Sequence, residues 1–328
     1  MIQFSIILPV RNGGEYIKEC VTSILSQSVP DFNLILLDSG STDGTIEWIT
    51  SLKDPRIVFY PSDKPLSIEE NWGRIKTIPR NEWMTIIGHD DLLHPDYIKI
   101  MKALILEQPD ASLYAPHFNF IDAAGNVIRT SKAMPPVQTG QQLLEKFLSQ
   151  EIDAVGLVMR SKDYDAVGGI PLYPGLLFAD FPLWVELTRI AYKATAAQSC
   201  LSYRVHHNST TATSVNEKYH SAYELYINYL AGLKSQDAEF NEVINKNVVL
   251  LLRSRCIEFS KKLLGIPKKD RKTFATVAAL VQAHKKYADL LIDNNTFDPS
   301  SLFKIRLAKL IYSTAASRNL YLFLKKWF

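Results

Sequence analysis

The sequence lacks the features that mark several large classes of protein. Its three cysteines, Cys20, Cys200 and Cys256, lie far apart, with neither the paired spacing of a disulfide framework nor that of a zinc site. We expect them to be buried free thiols in a reducing compartment. No run of about 18 apolar residues occurs, so we expect no membrane-spanning helix. The N-terminus has no basic lead and no small-residue cleavage site, so we expect no signal peptide.

The net charge and the absence of repeats also say little about binding partners. A net charge of +3 over 328 residues is too small to indicate a nucleic-acid partner, and no internal repeat is visible. The chain does have 47% apolar and 22% charged residues, which is enough for a packed core in one large domain or two ordinary ones. The composition therefore predicts a folded protein. The expected free thiols, with no expected signal peptide or membrane-spanning helix, predict that it lies in the cytoplasm.

Short apolar runs alternate with helical patterns in the first third of the chain. The runs, each of strand length, are 3–10, 33–37, 56–60 and 83–87. The helical patterns, with apolar residues every three or four positions, are 15–26, 43–53, 67–78 and 95–107. This alternation predicts an α/β fold with a mostly parallel central sheet and helices on both faces.

The pattern changes in the second half of the chain. A hairpin over 113–129 is followed by further strands at 154–159 and 195–205, and the last third is helical throughout. We therefore predict a catalytic α/β domain over residues 1–215 and an α-helical C-terminal extension over residues 216–328.

The strand at 33–37 is followed at once by Asp38-Ser39-Gly40-Ser41-Thr42-Asp43-Gly44-Thr45. In open α/β sheets, ligands bind at the carboxyl ends of the strands, so Asp38 stands where a carboxylate can accept hydrogen bonds from a base or a ribose. Turn chemistry is the alternative, because Asp, Ser and Gly all favour turns. We favour the turn for Asp43 and Gly44, and the ligand for Asp38.

A second acidic group, Gly88-His89-Asp90-Asp91, follows the strand at 83–87. Adjacent carboxylates repel each other unless a cation joins them. Mg²⁺ usually binds one or two carboxylates together with substrate phosphates. This pair therefore predicts a metal site for a nucleotide diphosphate, and its alternative role is to cap the helix that starts at Pro95.

These two motifs occur in a fixed order with several others. The further motifs are Pro9-Val10-Arg11-Asn12, Ser67-x-x-x-Asn71-x-Gly73, Gly168-Gly169-Ile170, Phe178-Ala179-Asp180-Phe181-Pro182-Leu183-Trp184 and Tyr203-Arg204-Val205-His206. Together they resemble the inverting glycosyltransferases of family 2, which have the GT-A fold. The resemblance covers about residues 3–210.

The resemblance implies roles in binding a nucleotide-sugar donor. Pro9, Arg11 and Asn12 would form the first loop on the nucleotide side. Asp38 would contact the base, which in this family is usually uracil. Asn71 would help to close the nucleotide pocket, although it is also an ordinary helix residue.

The resemblance also implies a metal site and a general base. Asp90 occupies the last position of the family's Asp-x-Asp metal motif, and Asp91 is the acid that commonly follows it. His206 would lie near the Mn²⁺ or Mg²⁺ ion and the diphosphate, or it is a loop histidine without that role. Asp180 matches the general base. The N-terminus of the helix it precedes would favour its charged form, and helix capping is its alternative role.

Two positions depart from the family pattern. Gly88 replaces the first aspartate of the metal motif, and Ala179 replaces the acid that usually precedes the base. These departures support the alternative of a catalytically impaired protein that only binds nucleotide sugars. A nucleotidyltransferase is disfavoured, because no lysine lies near the glycines that follow Asn12.

The function that the resemblance implies is inverting transfer of a sugar, with a UDP-sugar as the expected donor, to a hydroxyl of a glycan or lipid-linked acceptor in cell-envelope polysaccharide synthesis. Residues 301–328 hold six basic residues and no acid, interleaved with apolar and aromatic ones. This pattern is typical of a segment that lies on an anionic membrane surface. The alternative is a helix packed on the catalytic domain with its basic face in water.

Overall fold

The structure is a computed structural model that describes residues 3–150, 154–206, 217–265 and 276–325. The chain divides into two compact units. The first consists of Met1–Leu143 with Ile152–Ala212, and the second of Leu144–Glu151 with Thr213–Phe328. The domain boundary predicted between residues 215 and 216 lies outside the described residues.

The described part of the first unit contains a single mixed sheet. Its strands are β1 (Phe4–Val10), β2 (Phe32–Asp38), β3 (Ile57–Tyr60), β4 (Trp83–Ile86), β5 (Leu92–Leu93), β6 (Leu113–Ile121), β7 (Val127–Thr130), β8 (Val137–Gln138), β9 (Val158–Arg160) and β10 (Lys193–Arg204). Their order is β3-β2-β1-β4-β9-β6-β10-β5, with β7 beside β6 and β8 beside β10.

The predicted parallel arrangement holds for the first four strands in that order. β1 pairs in parallel with both β2 and β4, and β2 pairs in parallel with β3. β9 then runs antiparallel between β4 and β6, and β6 pairs in parallel with β10. The two-residue strands β5 and β8 were not predicted, because so short a segment shows no alternation of apolar and polar residues.

Among the described residues up to the end of β10, seven α-helices begin. They are α1 (Gly14–Leu25), α2 (Thr45–Ser51), α3 (Ile68–Gly73), α4 (Tyr97–Glu107), α5 (Gly140–Ser149), α6 (Ser161–Ala166) and α7 (Asp180–Ile190). The helix predicted over 67–78 divides into α3 and a 3₁₀ turn at Arg74–Lys76. A reciprocal capping box between Ser67 and Glu70 fixes the start of α3.

The core of the first unit lies around the central strands. All seven residues of β1 are buried, as expected for a parallel strand covered on both faces. α1 buries Ile17, Cys20, Val21 and Ile24, which recur at the spacing of one helical face. The three cysteines are free and buried, which confirms that part of the sequence analysis.

The second unit is helical where the structure describes it. Its main helices are α8 (Glu217–Gln236), α9 (Ala238–Gly265), α10 (Val277–Leu291), α11 (Phe303–Ser313) and α12 (Ala315–Lys325). Part of its core joins α9, α10 and α11 through Cys256, Leu263, Val281 and Ile305. Among the helices described, none combines the length and apolar character needed to cross a membrane.

Candidate active site

The predicted site lies at the carboxyl ends of β1, β2 and β4. The chain passes from β1 to β2 on one side and returns to β4 on the other, so the strand order reverses at β1. This is where open α/β sheets bind ligands. Three loops follow these strands, at residues 11–13, 39–44 and 87–91.

The first two loops are joined by hydrogen bonds. Asn12 lies in the left-handed region, with φ of 52°, and donates its backbone N–H to Ser41 Oγ over 2.8 Å. The side-chain oxygen of Asn12 accepts the N–H of Thr42 over 2.9 Å. The carboxylate of Asp43 accepts the N–H of Gly14 over 2.9 Å, so Asp43 has the turn-stabilising role favoured from the sequence.

Asp38 points into the loop that it begins. It is fully buried, and its carboxylate accepts the backbone N–H groups of Gly40 over 2.8 Å and Ser41 over 3.1 Å. Gly40 has φ of 79°, and a Cβ there would lie 2.8 Å from the carbonyl oxygen of Lys64, so this turn requires glycine. A contact between the Asp38 carboxylate and a base would have to replace these two hydrogen bonds.

Asn71 is also directed at the protein backbone. It is 2% exposed, and its Nδ2 donates to the carbonyl of Leu37 over 2.8 Å. Arg74 donates to the carbonyl of Asp38 over 2.7 Å and to Oδ1 of Asn71 over 3.0 Å. Together Asn71 and Arg74 brace the end of β2. Sequence reasoning missed Arg74, because a single arginine in a helical pattern gives no signal.

The residues that the resemblance assigns to donor binding therefore differ in how exposed their side chains are. Pro9 is buried within β1, opposite Leu37 of β2. Arg11 and Asn12 are exposed in the loop after β1. Of the residues predicted for the first nucleotide loop, Arg11 and Asn12 are the ones whose side chains are open to a ligand.

Residues that follow β4 and β10 meet at the predicted metal position. Oδ2 of Asp90 lies 2.9 Å from Nε2 of His206. The ring of Tyr16 packs against the His206 ring, with centroids 5.3 Å apart. Burial lowers the pKa of the neighbouring His89, against the opposing effect of the Asp90 charge. His89 was quoted in the motif but given no role from the sequence.

Gly88 leaves the space in which the acidic pair sits. A Cβ built at residue 88 would lie 2.7 Å from Oδ1 of Asp90 and 3.3 Å from Oδ2 of Asp91. The first distance is too short for two non-bonded atoms, so any side chain at residue 88 would displace the Asp90 carboxylate. The departure from the family motif thus has a packing reason in this chain.

Asp91 has a structural environment unlike that of Asp90. It is 6% exposed, and its Oδ1 accepts the backbone N–H of Arg204 over 2.9 Å. Burial raises the pKa of Asp91 well above its ordinary value, and the Asp90 charge adds to the effect. These features suit a residue that positions the end of β10 better than one that binds a ligand.

Arg204 connects the elements around this pair. Its guanidinium is 1% exposed and donates from Nε to the carbonyl of Asp90 over 2.9 Å. It also forms an ion pair with Glu19 at 2.5 Å and lies 4.5 Å from the ring centroid of Tyr16. The resemblance included Arg204 in a motif without a role, and Glu19 carried no signal in its helical pattern.

The side chains of Asp90 and His206 are suitable ligands for a divalent cation whose remaining ligands come from the substrate. Among the described residues, no group of three or more histidine, cysteine or acidic side chains is arranged to hold a metal ion. Mg²⁺ commonly takes only one or two carboxylates and obtains other ligands from phosphates and water. One carboxylate and one imidazole within 2.9 Å of each other meet that requirement.

Asp180 follows a strained loop. Leu176 and Phe178 have φ of 54° and 62°, a region that costs a residue other than glycine about 1–3 kcal/mol and that often marks functional sites. Glu69 of α3 accepts the N–H of Gly175 over 2.5 Å and holds this loop. Asp180 is the first residue of α7. The N-cap position is taken by Ala179, and no side chain caps the helix.

The carboxylate of Asp180 is both accessible and partly desolvated. The residue is exposed to solvent, yet the protein atoms around its carboxylate desolvate the charged form enough to raise its pKa to about 6. This effect outweighs the helix N-terminus, which by itself would favour the charged form. The side chain of Asp180 makes no hydrogen bond or ion pair with any residue that the structure describes.

Acidic residues from two parts of the chain act on one phenol. Burial raises the pKa of Tyr203 to about 12, and the charges of Asp91, Asp90 and Asp180 contribute to the increase. The general-base candidate and the metal-binding candidate therefore lie within electrostatic reach of the same side chain. The predicted catalytic residues belong to one site region of the first unit.

Comparison with solved structures defines the class of fold. The crystal structure of S. aureus TarS residues 1–349 in complex with UDP-GlcNAc aligns with a TM-score of 0.64 at 14% identity, covering 95% of this chain and 91% of that one. The fold is therefore GT-A, the α/β fold predicted from the sequence.

Sequence comparison then gives the family. Residues 5–166 match the model of glycosyl transferase family 2. An uncharacterized glycosyltransferase of Rickettsia conorii is 24% identical over 331 residues, covering 90% of this chain and 53% of that protein. One from Haemophilus influenzae is 33% identical over 131 residues, covering 38% and 50%. Over residues 5–166 the chain therefore has the sequence features of glycosyl transferase family 2, and it spans about half the length of the Rickettsia conorii relative.

Proposed function

We propose that this protein is an inverting glycosyltransferase that moves a sugar from a UDP-sugar to a hydroxyl group of a glycan or lipid-linked acceptor. The observation that carries the proposal is the state of Asp180. A carboxylate that is accessible, has no side-chain partner among the described residues and has a pKa of about 6 can accept a proton near neutral pH. A single displacement needs one base, and Asp180 is the residue we assign to that role.

The proposed reaction exchanges one C–O bond for another. The acceptor oxygen attacks the anomeric carbon and forms the new glycosidic bond, and its proton passes to Asp180. The bond from the anomeric carbon to the diphosphate breaks, and its electron pair leaves with the diphosphate oxygen. One displacement inverts the configuration at that carbon. A glycosidase would instead use two carboxylates that flank the bond.

We assign Asp90 and His206 as the residues that would hold Mn²⁺ or Mg²⁺. Such an ion, when bound, neutralises the charge that develops on the leaving diphosphate. Asp91 and Arg204 position this pair. Asp91 accepts the backbone N–H of Arg204, and the Arg204 side chain donates to the carbonyl of Asp90.

Uridine diphosphate is the proposed nucleotide part of the donor. TarS, which shares the fold, was crystallised with UDP-GlcNAc and with UDP. In this chain, hydrogen bonds join the loops at 11–14 and 40–45 into one surface against which the nucleotide would bind. Asp38 acts there through the loop conformation that it fixes.

The acceptor is proposed to belong to the cell envelope. A lipid-linked acceptor would place the enzyme at the inner face of the cell membrane as a peripheral protein. The six basic residues and the absence of acids within residues 301–328 support that location.

The alternative is a nucleotide-sugar-binding protein that has lost catalysis. The two departures that suggested it each have a local reason in this chain. The Asp90 carboxylate occupies the space beside Gly88, and Ala179 is fully buried, where an acid would be desolvated. Neither departure removes Asp180 or Asp90.

The proposal is tested by incubating the purified protein with UDP-sugars and Mn²⁺ and measuring the release of UDP without an acceptor. Slow hydrolysis by the native chain, reduced in Asp180→Asn with UDP binding unchanged, supports a transferase. Tight binding of UDP with no hydrolysis, and no transfer to any glycan acceptor, would favour the binding protein. A clear preference for GDP in calorimetric titration would contradict the assignment of the donor.

A further inference from the structure

The helix α11 has two faces of different character. Ile305 and Ala308 are buried in the core of the helical unit. On the other side Phe303 is 78% exposed, Leu307 is 43% exposed and Leu310 is 67% exposed. Their spacing of four and then three residues places these three apolar side chains along one side of the helix. The helix thus packs in its own unit and still presents an apolar stripe.

Residues of α9 extend this stripe. Leu250 is 51% exposed, and Leu250 and Arg253 line a hollow of about 460 Å³ together with Phe303 and Lys304. The hollow lies within the second unit. We call the α11 surface the set formed by Leu250, Arg253, Phe303, Lys304, Arg306, Leu307 and Leu310.

The charges on the α11 surface have a single sign. Arg253, Lys304 and Arg306 are all exposed. No acid occurs from residue 299 to the end of the chain. Exposed apolar side chains are therefore flanked by cations with no nearby anion in the same segment.

This combination distinguishes between two kinds of partner. The centres of protein–protein interfaces are depleted of lysine and other charged residues. An amphipathic helix at a bilayer surface instead places apolar side chains at the acyl boundary and basic ones among the headgroups. Phe303 beside Lys304, and Leu307 beside Arg306, give α11 the second arrangement.

We propose that the α11 surface binds the surface of a bilayer that contains anionic phospholipid. Phe303, Leu307 and Leu310 enter the boundary between headgroups and acyl chains, and Arg253, Lys304 and Arg306 lie against lipid phosphates. Loss of one basic contact should weaken binding by about fivefold. Loss of two apolar side chains that enter the bilayer should weaken vesicle binding by about a hundredfold or more.

The test is flotation of the full chain with vesicles of phosphatidylcholine alone or with one fifth phosphatidylglycerol. The protein should float with the anionic vesicles, stay in solution with the neutral ones, and be released by 0.5 M salt. Phe303→Ser/Leu310→Ser and Lys304→Gln/Arg306→Gln should each reduce binding. Leu106→Ser, at a site 73% exposed on α4, and Lys162→Gln serve as matched controls that should bind normally.

Equal binding to both kinds of vesicle, or unchanged binding by both variants, would overturn the proposal. So would a concentration-dependent dimer in the native chain that Phe303→Ser/Leu310→Ser abolishes without any vesicle binding, since the surface would then join two copies. Flotation needs no sugar donor, so its failure leaves the proposed transfer reaction standing. Failure of that reaction likewise leaves the membrane surface standing.

Discussion

Oδ2 of Asp90 and Nε2 of His206 lie 2.9 Å apart although 116 residues separate them in the chain. Asp90 comes from the loop after β4, and His206 lies just beyond the end of β10. Arg204 secures this contact, because it donates to the backbone of Asp90 while its own backbone N–H binds Asp91. The pair is therefore held by the fold before any ligand arrives.

Asp90→Ala should abolish the dependence of UDP binding on Mn²⁺. Removing the carboxylate should also lower the turnover of the donor by roughly 10²-fold or more, because charge on the leaving diphosphate is no longer neutralised. Calorimetric titration of UDP with and without Mn²⁺ measures the first effect. Asp110→Ala, an exposed acid of the same unit, is the control. Full activity of the native chain in excess EDTA would show that no metal is used.

Gly88→Ala should impair the same site by a steric route. The added Cβ would lie 2.7 Å from Oδ1 of Asp90, so the carboxylate must shift and its contact with His206 is disturbed. We expect weaker Mn²⁺-dependent binding of UDP and lower turnover. Gly232→Ala is the matched control, because a Cβ at that helical position meets nothing within 4 Å. If Gly88→Ala binds UDP with the same dependence on Mn²⁺ as the native chain, Gly88 is not needed for the position of the Asp90 carboxylate.

Asp180→Asn should lower turnover by roughly 10²–10⁴-fold, because asparagine cannot accept the acceptor proton. Binding of UDP should be unchanged, since the substitution preserves shape and Asp180 is assigned no contact with the nucleotide. Single-turnover kinetics with saturating donor measure the effect. Transfer at near the native rate would rule out Asp180 as the base.

The pH dependence follows from the raised pKa of Asp180. The base must be deprotonated, so kcat/KM should rise with pH and level off above about 6. The slope near that value should disappear in Asp180→Asn. A native profile that is flat between pH 5 and 7 would contradict the assignment.

The same shift has a consequence for stability. The folded-state pKa of Asp180 lies above its ordinary value of 3.8, so the protonated group favours folding. This contribution is fully present below about pH 3.8 and is lost as the pH rises through about 6. The neutral Asp180→Asn variant should therefore melt at a higher temperature than the native chain at pH 7.5, and at a similar temperature at pH 4. A lower melting temperature at both values would indicate that the carboxylate stabilises the helix.

Asp38→Ala should reduce stability and UDP binding together. The substitution leaves the buried N–H of Ser41 without its acceptor, at a cost of about 1–3 kcal/mol, and removes the acceptor of the half-buried Gly40 N–H as well. Chemical denaturation and calorimetry of the same sample measure both effects. A variant with native stability but without UDP affinity would instead support the direct contact with the base predicted from the sequence.

The sequence by itself was sufficient for the positions of the first four strands along the chain and for the loops that carry the site. Strand length, apolar periodicity and turn residues are local properties, so the runs at 3–10, 33–37 and 83–87 predicted β1, β2 and β4 closely. The same local information placed Asp38 and Asp90 at strand ends. The family and the GT-A fold followed from motifs that occur in order along the chain.

Local pattern could not decide which side of a loop each polar residue faces. Asp38 and Asn71 turn inward because backbone groups nearby need partners, whereas Asp180 stays open to solvent. Nothing in the motifs separates these outcomes, because aspartate and asparagine serve equally well in turns and in binding sites.

Tertiary structure decided the features that depend on residues distant in sequence. The meeting of Asp90 with His206, the ion pair of Glu19 with Arg204, and the raised pKa of Asp180 all arise when separate elements pack and exclude water. Desolvation and contact geometry are properties of the assembled fold. A sequence names the residues that can carry charge, and the packing around each one determines its partner and its pKa.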